Sequence, residues 1–407
     1  MWCAWAGRGW FLLTLWPKAI GQQLPNSRLR LPSCAARFQG ILAGHRHPRI
    51  DKETFEDGTS PMPVLQLQEI EHLAHRALSA SGANAHHART VAQSIAQAEA
   101  EGIRNVGLAY LPTYCAHLRC GKIHGDAHAT WRKKAPSALL VDADAGFSHT
   151  AFIDAMPDFL AMVRNQGVAV MSIHNSYSAG VLGWFIRRLA LEGLVNLAFA
   201  NASAMMAPIG GNQAVFGTNP LGFGSPRPRN ATGDDVGPLV LDMSSTATAR
   251  VNVIEAAHQG GPIPAGWAMN LAGLPTTDPK EALEGLMAPA AGHKGYGLAL
   301  IVEILAAGLG GAHWSHQASS LLDDTGGPPG VGQCFIAIDP AAFAPGFDVR
   351  MWTLMHAIEV QEGARVPGVG RHRQMNKAIA SGVEVDTSLL NQLEQFAHPA
   401  NATSPDA

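Results

Sequence analysis

The sequence lacks most of the features that would assign it quickly. No apolar run approaches the ~18–20 residues of a membrane-spanning helix, and the longest candidate, Trp10 to Trp16, is far too short. Charge is scarce, at 15% of 407 residues, and nearly balanced at −3, so neither nucleic acid nor an anionic membrane is an expected partner. Five cysteines (Cys3, Cys34, Cys115, Cys120 and Cys334) form no C-x-x-C pair, which excludes a zinc ribbon and gives no disulfide framework. A soluble protein of a reducing compartment, the cytoplasm, is expected. His72 and His75 share a helix face, as Cys115 and Cys120 approximately do, but no further ligands accompany them, so no metal is expected. No G-x-G-x-x-G follows a strand, and G-x-x-x-x-G-K-[ST], a nucleophile elbow and H-E-x-x-H are all missing. Gly222-Phe223-Gly224 and Gly368-Val369-Gly370 stop short of a third glycine. An ordinary Rossmann reading therefore fails.

What is present is a long apolar chain, 47% hydrophobic with 43 Gly and 26 Pro. Its length exceeds one average domain of ~100–200 residues, so two intertwined or adjacent domains are expected. Residues 1–61 stand apart, with eight basic and four acidic residues, all four acids between Asp51 and Asp57. The first fifty residues hold seven Lys/Arg, no acid and four Trp. An arginine-rich, acid-poor transit peptide fits that composition, and a secretory signal fits it poorly. The preferred expectation is upstream sequence before a true start at Met62, because helical periodicity begins directly after it.

From there Leu67, Ile70, Leu73, Ala74, Ala77 and Leu78 recur at helical spacing up to Gly82, and a second helix runs from about Asn84 to Glu101. Ser137–Asp144, Gly167–His174 and Val195–Asn201 read as strands, separated by helices at Ala151–Asn165 and about Val181–Leu191. That alternation predicts an α/β layer with helices covering a sheet. Leu239–Met243 and Gln333–Asp339 add strands, and Tyr296–Leu309, apolar nearly all round, predicts a buried helix. Asn230–Gly237 and Asp323–Gly332 read as surface loops.

Two segments are too specialised for plain core. Asn201–Pro220 (NASAMMAPIGGNQAVFGTNP) leaves a strand end and carries paired glycines before Gly217-Thr218-Asn219-Pro220. Glycine permits close backbone approach, and Thr218 and Asn219 offer hydrogen-bonding groups at a turn. Gly292-His293-Lys294-Gly295-Tyr296-Gly297 enters the apolar helix. A lysine beside a helix N-terminus suits an anion. Each segment alone reads equally well as an elaborate loop or a solvated cap.

Together with GLAYLPTYCAHLRCGKI (107–123), SIHNSYSAGVLGWF (172–185), LDMSSTATA (241–249), GGPIPAGWAMNLAGLPTTDP (260–279), GVGQCFIAIDP (330–340) and QEGARVPG (361–368), these segments resemble the type 2 malate/L-lactate dehydrogenase family. That family also holds ureidoglycolate and sulfolactate dehydrogenases and reductases of cyclic imino acids and diketo sugar acids. The resemblance spans about Val64 to Phe396. It implies NAD or NADP bound on a family-specific, non-Rossmann α/β fold, with a helix-covered mixed sheet, a helical N- and C-terminal region, and a homodimer. The implied organisation is an extension (1–61), a helical region (62–136 and 340–407) and an α/β cofactor-binding core (137–339).

Carried over motif by motif, the resemblance implies cofactor contacts from Ser176 and Ser178, from Gly217, Asn219 and Pro220, from Asp242, Met243 and Ser244, from Lys294 and Gly295, and from Arg371 in a less certain register. Thr218 and Asn105 are expected at the substrate. The chemistry carries over less well. Where many members have S-H-G followed by Arg, this chain reads Asn105-Val106-Gly107-Leu108-Ala109-Tyr110, so Val106 replaces a histidine and Tyr110 an arginine. A second family histidine corresponds to Ser178. His174, Tyr177 and Tyr110 are therefore the candidate proton donors. The expected function is interconversion of a small 2-hydroxy acid and its 2-keto acid. The alternative is a paralogue that binds the dinucleotide without turnover.

Overall fold

The computed structural model describes residues 62–230 and 232–398, so the expectations for 1–61 lie outside the described residues. Twelve strands are found there: β1 (Val64–Leu65), β2 (Thr130–Ala135), β3 (Ala138–Asp142), β4 (Val168–Ser176), β5 (Val195–Ala200), β6 (Leu221–Ser225), β7 (Leu239–Met243), β8 (Ala268–Met269), β9 (Pro275–Thr276), β10 (Leu286–Met287), β11 (Val331–Ile338) and β12 (Val383–Glu384). Seven form a mixed sheet in the order β2-β3-β4-β11-β5-β6-β7. Only β3 and β4 run parallel; the other neighbours are antiparallel. The α/β layer expected from the alternating pattern is present.

Strand alternation decides what covers each face. Ala169, Met171 and Ile173 of β4 point into a core with Phe152, Phe159 and Val163 of the Ser148–Gln166 helix and Trp184, Phe185 and Leu189 of the Leu182–Leu191 helix. The opposite face packs Val170, Leu197 and Ile336 against Val302 and Ala306, from the His293–Glu303 helix and the π-turn Ile304–Gly308 that continues it. A second core joins the Leu67–Ala80, Ala85–Ala100, Leu111–Arg119 and Thr387–Ala397 helices. Asn84 starts the second of these as its N-cap, its side chain accepting a bond from His87 N at 2.9 Å.

Two expectations need correction. The Tyr296–Leu309 helix is buried on one side only. Val302 and Ala306 face the sheet and Ala299 packs with Met206 and Phe216, while Ile301 and Ile304 are about half exposed (48% and 49%) and Leu309 more so (59%). The segment Asp323–Gly332 is more than a surface loop: its start docks on the Leu111–Arg119 helix and its end belongs to β11.

Candidate active site

The two specialised segments meet through Ser245. Its N–H donates to Thr218 O at 2.9 Å and its hydroxyl to Asn219 O at 2.6 Å. Its carbonyl accepts Ala290 N at 2.9 Å, and a Cβ on Gly295 would stand 2.8 Å from it and 2.3 Å from Ala290 O. Only glycine permits this approach of the helix start to the strand end. Ser244 donates to Thr218 O at 3.1 Å. Gly217 is equally constrained, since a Cβ there would lie 2.5 Å from Ala202 O.

Asn219 is fully buried with φ 38°, a left-handed conformation held by side-chain bonds. Its amide donates to Ala299 O at 3.1 Å and Glu303 Oε2 at 2.6 Å. Glu303, also buried, accepts further bonds from Ser315 N (2.5 Å) and Ser315 Oγ (2.6 Å). This carboxylate ties the Gly217–Pro220 turn to the far end of the helix that begins near Lys294. Lys294 itself is exposed in the first helical turn, and nothing lies within 4 Å of a Cβ built on Gly292 or Gly297. An open, glycine-bordered helix start with an exposed lysine, at the positive end of the helix dipole, fits the phosphates of a dinucleotide.

The turn after β4 lies beside this cradle. Ser176 Oγ sits 2.9 Å from both Val331 O and Gln333 Oε1, and Ser178 Oγ accepts from Gly180 N at 3.3 Å. Gly183 N donates to Asp242 Oδ2 at 2.8 Å. Burial raises the Asp242 carboxyl above its usual range, against the Gly183 bond and the Arg371 charge. Asp242 and Arg371 thus belong to one neighbourhood with the start of the Leu182–Leu191 helix. Met243, 46% exposed, and Pro220 flank it.

Beyond the turn is an aromatic cluster. Tyr177 is fully buried against Tyr114, Phe147 and His117, with ring centroids 5.9, 6.1 and 5.6 Å away. Tyr110 stacks edge-on to Tyr114 at 4.9 Å. Tyr177 Oη lies 2.6 Å from His117 Nδ1, and His117 Nε2 lies 2.9 Å from Asp323 O. Lys122, with no exposed surface, donates to Asp323 O at 2.6 Å and to Ser320 O, and its ammonium is 3.8 Å from Asp323 Oδ1. Burial pushes both tyrosine hydroxyls up and both the His117 and Lys122 pKa values down. Ala202 packs on this cluster while its carbonyl abuts Gly217, so the cluster and the cradle are neighbours.

Not every expected site residue comes together. His174 pairs in register with Asp142 and lies beside Gly310, on the sheet face under the π-turn. Asn175 has φ 50° and breaks the strand alternation before Tyr177, which separates the histidine from the tyrosines. Asn105 is exposed in the short 3-10 turn Arg104–Val106, and Val106 packs on the sheet-side core. His117, Lys122, Ser245, Glu303 and Ser315 were not singled out from sequence. His117 and Lys122 lie inside the 107–123 motif, and His117 follows Tyr114 by three residues on one helix face. That spacing was the available signal. Among the described residues no cluster of metal-ligating side chains occurs.

Comparison with known proteins matches this architecture. The family profile described as malate/L-lactate dehydrogenase matches residues 65–394. The chain is 40% identical over 334 residues to the (2R)-3-sulfolactate dehydrogenase (NADP(+)) of Chromohalobacter salexigens, covering 82% of this chain and 98% of that one. It is 35% identical to the Δ1-pyrroline-2-carboxylate/Δ1-piperideine-2-carboxylate reductase of Pseudomonas aeruginosa, covering 81% and 98%. Among solved structures, the Δ1-piperideine-2-carboxylate reductase of Pseudomonas syringae pv. tomato superposes with a TM-score of 0.76 at 31% identity, covering 82% and 99%. The sulfolactate dehydrogenase of Methanocaldococcus jannaschii gives 0.74 at 28%, covering 82% and 96%. From the glycine-lined cradle to the shared profile, the findings agree: the chain belongs to the malate/L-lactate dehydrogenase family.

Proposed function

We propose that this chain interconverts a small 2-hydroxy acid and its 2-keto acid, as an NAD(P)-dependent oxidoreductase of its family. The observation that carries the reading is the convergence of three separate segments, Thr218–Asn219, Ser244–Ser245 and Gly295, on one serine. Bound NAD(P) supplies the two-electron half of the reaction, and the protein supplies orientation and a proton. In this reading Lys294 and the helix start hold phosphate. Ser176, Ser178, Gly217, Asn219, Pro220, Asp242, Met243, Ser244 and Arg371 line or shape the cofactor site. Thr218 faces the substrate. His174, Tyr177 and Tyr110 are the candidate proton donors of this reading.

A cyclic imine carboxylate is the second reading, favoured by relatives named as Δ1-pyrroline-2-carboxylate reductases at 35–36% identity. Both substrate classes share a carboxylate beside a C=O or C=N carbon. The exposed apolar side of the 293–309 helix, with Leu298, Ile301, Ile304 and Leu309, supports a homodimer. A cytoplasmic setting is the companion reading, from cysteines without a pairing pattern.

The test follows NADH and NADPH absorbance with a panel of 2-keto acids and with Δ1-pyrroline-2-carboxylate. Turnover on a keto acid supports the first reading, and turnover on the imine alone supports the second. Cofactor binding with no turnover makes the chain a dinucleotide-binding paralogue. No cofactor binding at all overturns the proposal.

A further inference from the structure

Strand β4 carries one residue more than its neighbour just before the site. Gln333 of β11 pairs with Ile173, yet Val331, two residues earlier, pairs with Ser176, three residues later. Two residues of β4 therefore stand against Gly332 alone, which is a β-bulge. A Cβ on Gly332 would lie 2.1 Å from Ala306 O, so only glycine fits opposite the bulge. Asn175 supplies its left-handed residue, with φ 50°. The extra residue changes which face follows. Ser172 and His174 lie beside Gly310, and plain alternation would place Ser176 there with them. The bulge moves Ser176 to the face of Ile173 and Gln333, where its hydroxyl reaches Gln333 Oε1 at 2.9 Å.

The bulge is held from β3. Asp142, the last residue of that strand, accepts through Oδ1 from Asn175 Nδ2 at 3.0 Å and from Asp144 N at 2.9 Å. Asp144 and Ala145 are left-handed too, with φ 55° and 57°. Non-glycine residues stay in that region only where their surroundings fix them. One carboxylate oxygen fixes two of the three. The backbone fixes the other, since Ala145 N donates to Asn175 O at 2.8 Å. Tyr177 N then donates to Gly146 O at 2.9 Å, so the exits of β3 and β4 are laced together. The turn that follows is strung between two segments of the cradle. At its start Ser176 Oγ is 2.9 Å from Val331 O, and the adjoining Gly332 exchanges bonds with Asn201, where the Asn201–Pro220 segment begins. At its end Gly183 N is bonded to Asp242 Oδ2 at 2.8 Å.

We propose that Asp142 is a positioning residue for the dinucleotide: it holds Asn175 and Asp144 in the left-handed region, and the bulge so fixed aims the Ser176–Gly180 turn at the cofactor. This rests on the oxidoreductase reading above. The carboxylate acts through the backbone rather than by touching the ligand. Its work can therefore be replaced by glycine, which adopts a positive φ with no side-chain bond to hold it. Alanine cannot replace it, because its Cβ meets the following carbonyl in that conformation.

The experiment is a fluorescence titration with NADPH at a temperature where every variant is folded. Asp142→Ala should raise Kd about tenfold, the scale of the left-handed strain of one residue. Adding Asn175→Gly and Asp144→Gly should return Kd to within about threefold of wild type. A direct contact from the carboxylate, or a loss of stability alone, would give no such recovery. With Asp142 intact, Asn175→Ala should bind about tenfold more weakly than Asn175→Gly, and this pair decides if Asp142→Ala does not fold. Hydrogen exchange on cofactor-free protein should show the Ala145 and Tyr177 amides opening faster in Asp142→Ala. A wild-type Kd in Asp142→Ala, no recovery with the glycines, or equal Kd in Asn175→Ala and Asn175→Gly overturns the proposal. If wild type binds neither NADPH nor NADH, the oxidoreductase reading fails. Exchange then reports separately: faster amides in Asp142→Ala uphold its grip on the turn, and unchanged amides refute it.

Discussion

Replacing Glu303 by glutamine tests whether the Gly217–Pro220 turn is held from behind. The carboxylate is 4% exposed and accepts bonds from Asn219 Nδ2 at 2.6 Å, Ser315 Oγ at 2.6 Å and Ser315 N at 2.5 Å. Bonds to a charged acceptor contribute about 1.5–3 kcal/mol each, and neutral ones about 0.5–1.5. Glutamine can turn its one oxygen toward Asn219 and the serine hydroxyl, but its amide nitrogen then faces the N–H of Ser315. One buried donor is left unpaired, costing about 1–3 kcal/mol, and the other two bonds weaken. The total is about 3 kcal/mol. At roughly 2.1 cal/mol/K per residue, unfolding a fold of this length carries about 0.7 kcal/mol/K, so Tm should fall by about 4 °C. Asn219 is held at φ 38° by this carboxylate, so the turn relaxes toward ordinary backbone and NADPH affinity falls with it. Scanning calorimetry and a fluorescence titration measure the two effects. A glutamine variant with unchanged Tm and unchanged Kd would refute the argument that Glu303 shapes the cradle.

Lys294→Ala should weaken NADPH binding by about 1–3 kcal/mol and leave Tm unchanged, because the side chain is exposed; titration and melting check both. Gly295→Ala should cost both stability and cofactor binding, since the added Cβ would meet Ala290 O at 2.3 Å; a melt within 1 °C of wild type, as the ~ limit of a tolerated change, speaks against that contact. A chain starting at Met62 should express solubly and bind cofactor like the full chain, and loss of either on truncation shows that residues 1–61 are needed. His149 is wholly buried with neither ring nitrogen bonded, and burial holds its pKa at about 3. The unfolded state binds that proton from pH 6.5 downward and the folded state does not, so stability is lost as pH falls below 6.5. The loss is about 2 kcal/mol by pH 5 relative to neutrality. Chemical denaturation across pH should show this slope flattened in His149→Phe, and an equal slope in both proteins would contradict it.

Much of the sheet was legible because β3, β4, β5, β7 and β11 are short apolar runs bounded by turn residues. The edge strand β2, Thr-Trp-Arg-Lys-Lys-Ala, was not, because a charged edge carries no apolar signal. The Tyr296–Leu309 segment was read as a buried helix because an apolar surface has the same composition whether it faces the core or stays exposed. The glycine and Thr-Asn segments of the cradle could be picked out by type and spacing. The atoms that hold them could not. Ser245, Glu303 and Ser315 are ordinary residues whose importance depends on which segments the topology brings to them. His117 and Lys122 were hidden for the same reason, since their partner, Asp323, is some two hundred residues away in sequence.

The order of strands also bears on how the chain reaches this state. β11 lies between β4 and β5, yet it is the last of the seven to be synthesised. Until Ile338 has left the ribosome, β2-β3-β4 and β5-β6-β7 are two half-sheets, each with an unpaired inner edge of apolar strand. Pairings so far apart in sequence close slowly, and open edges invite association with other chains. We expect assembly of the central sheet to be post-translational and rate-limiting. A nascent chain stalled before Val331 should then depend on chaperones for solubility, and one stalled well past Ile338 should not.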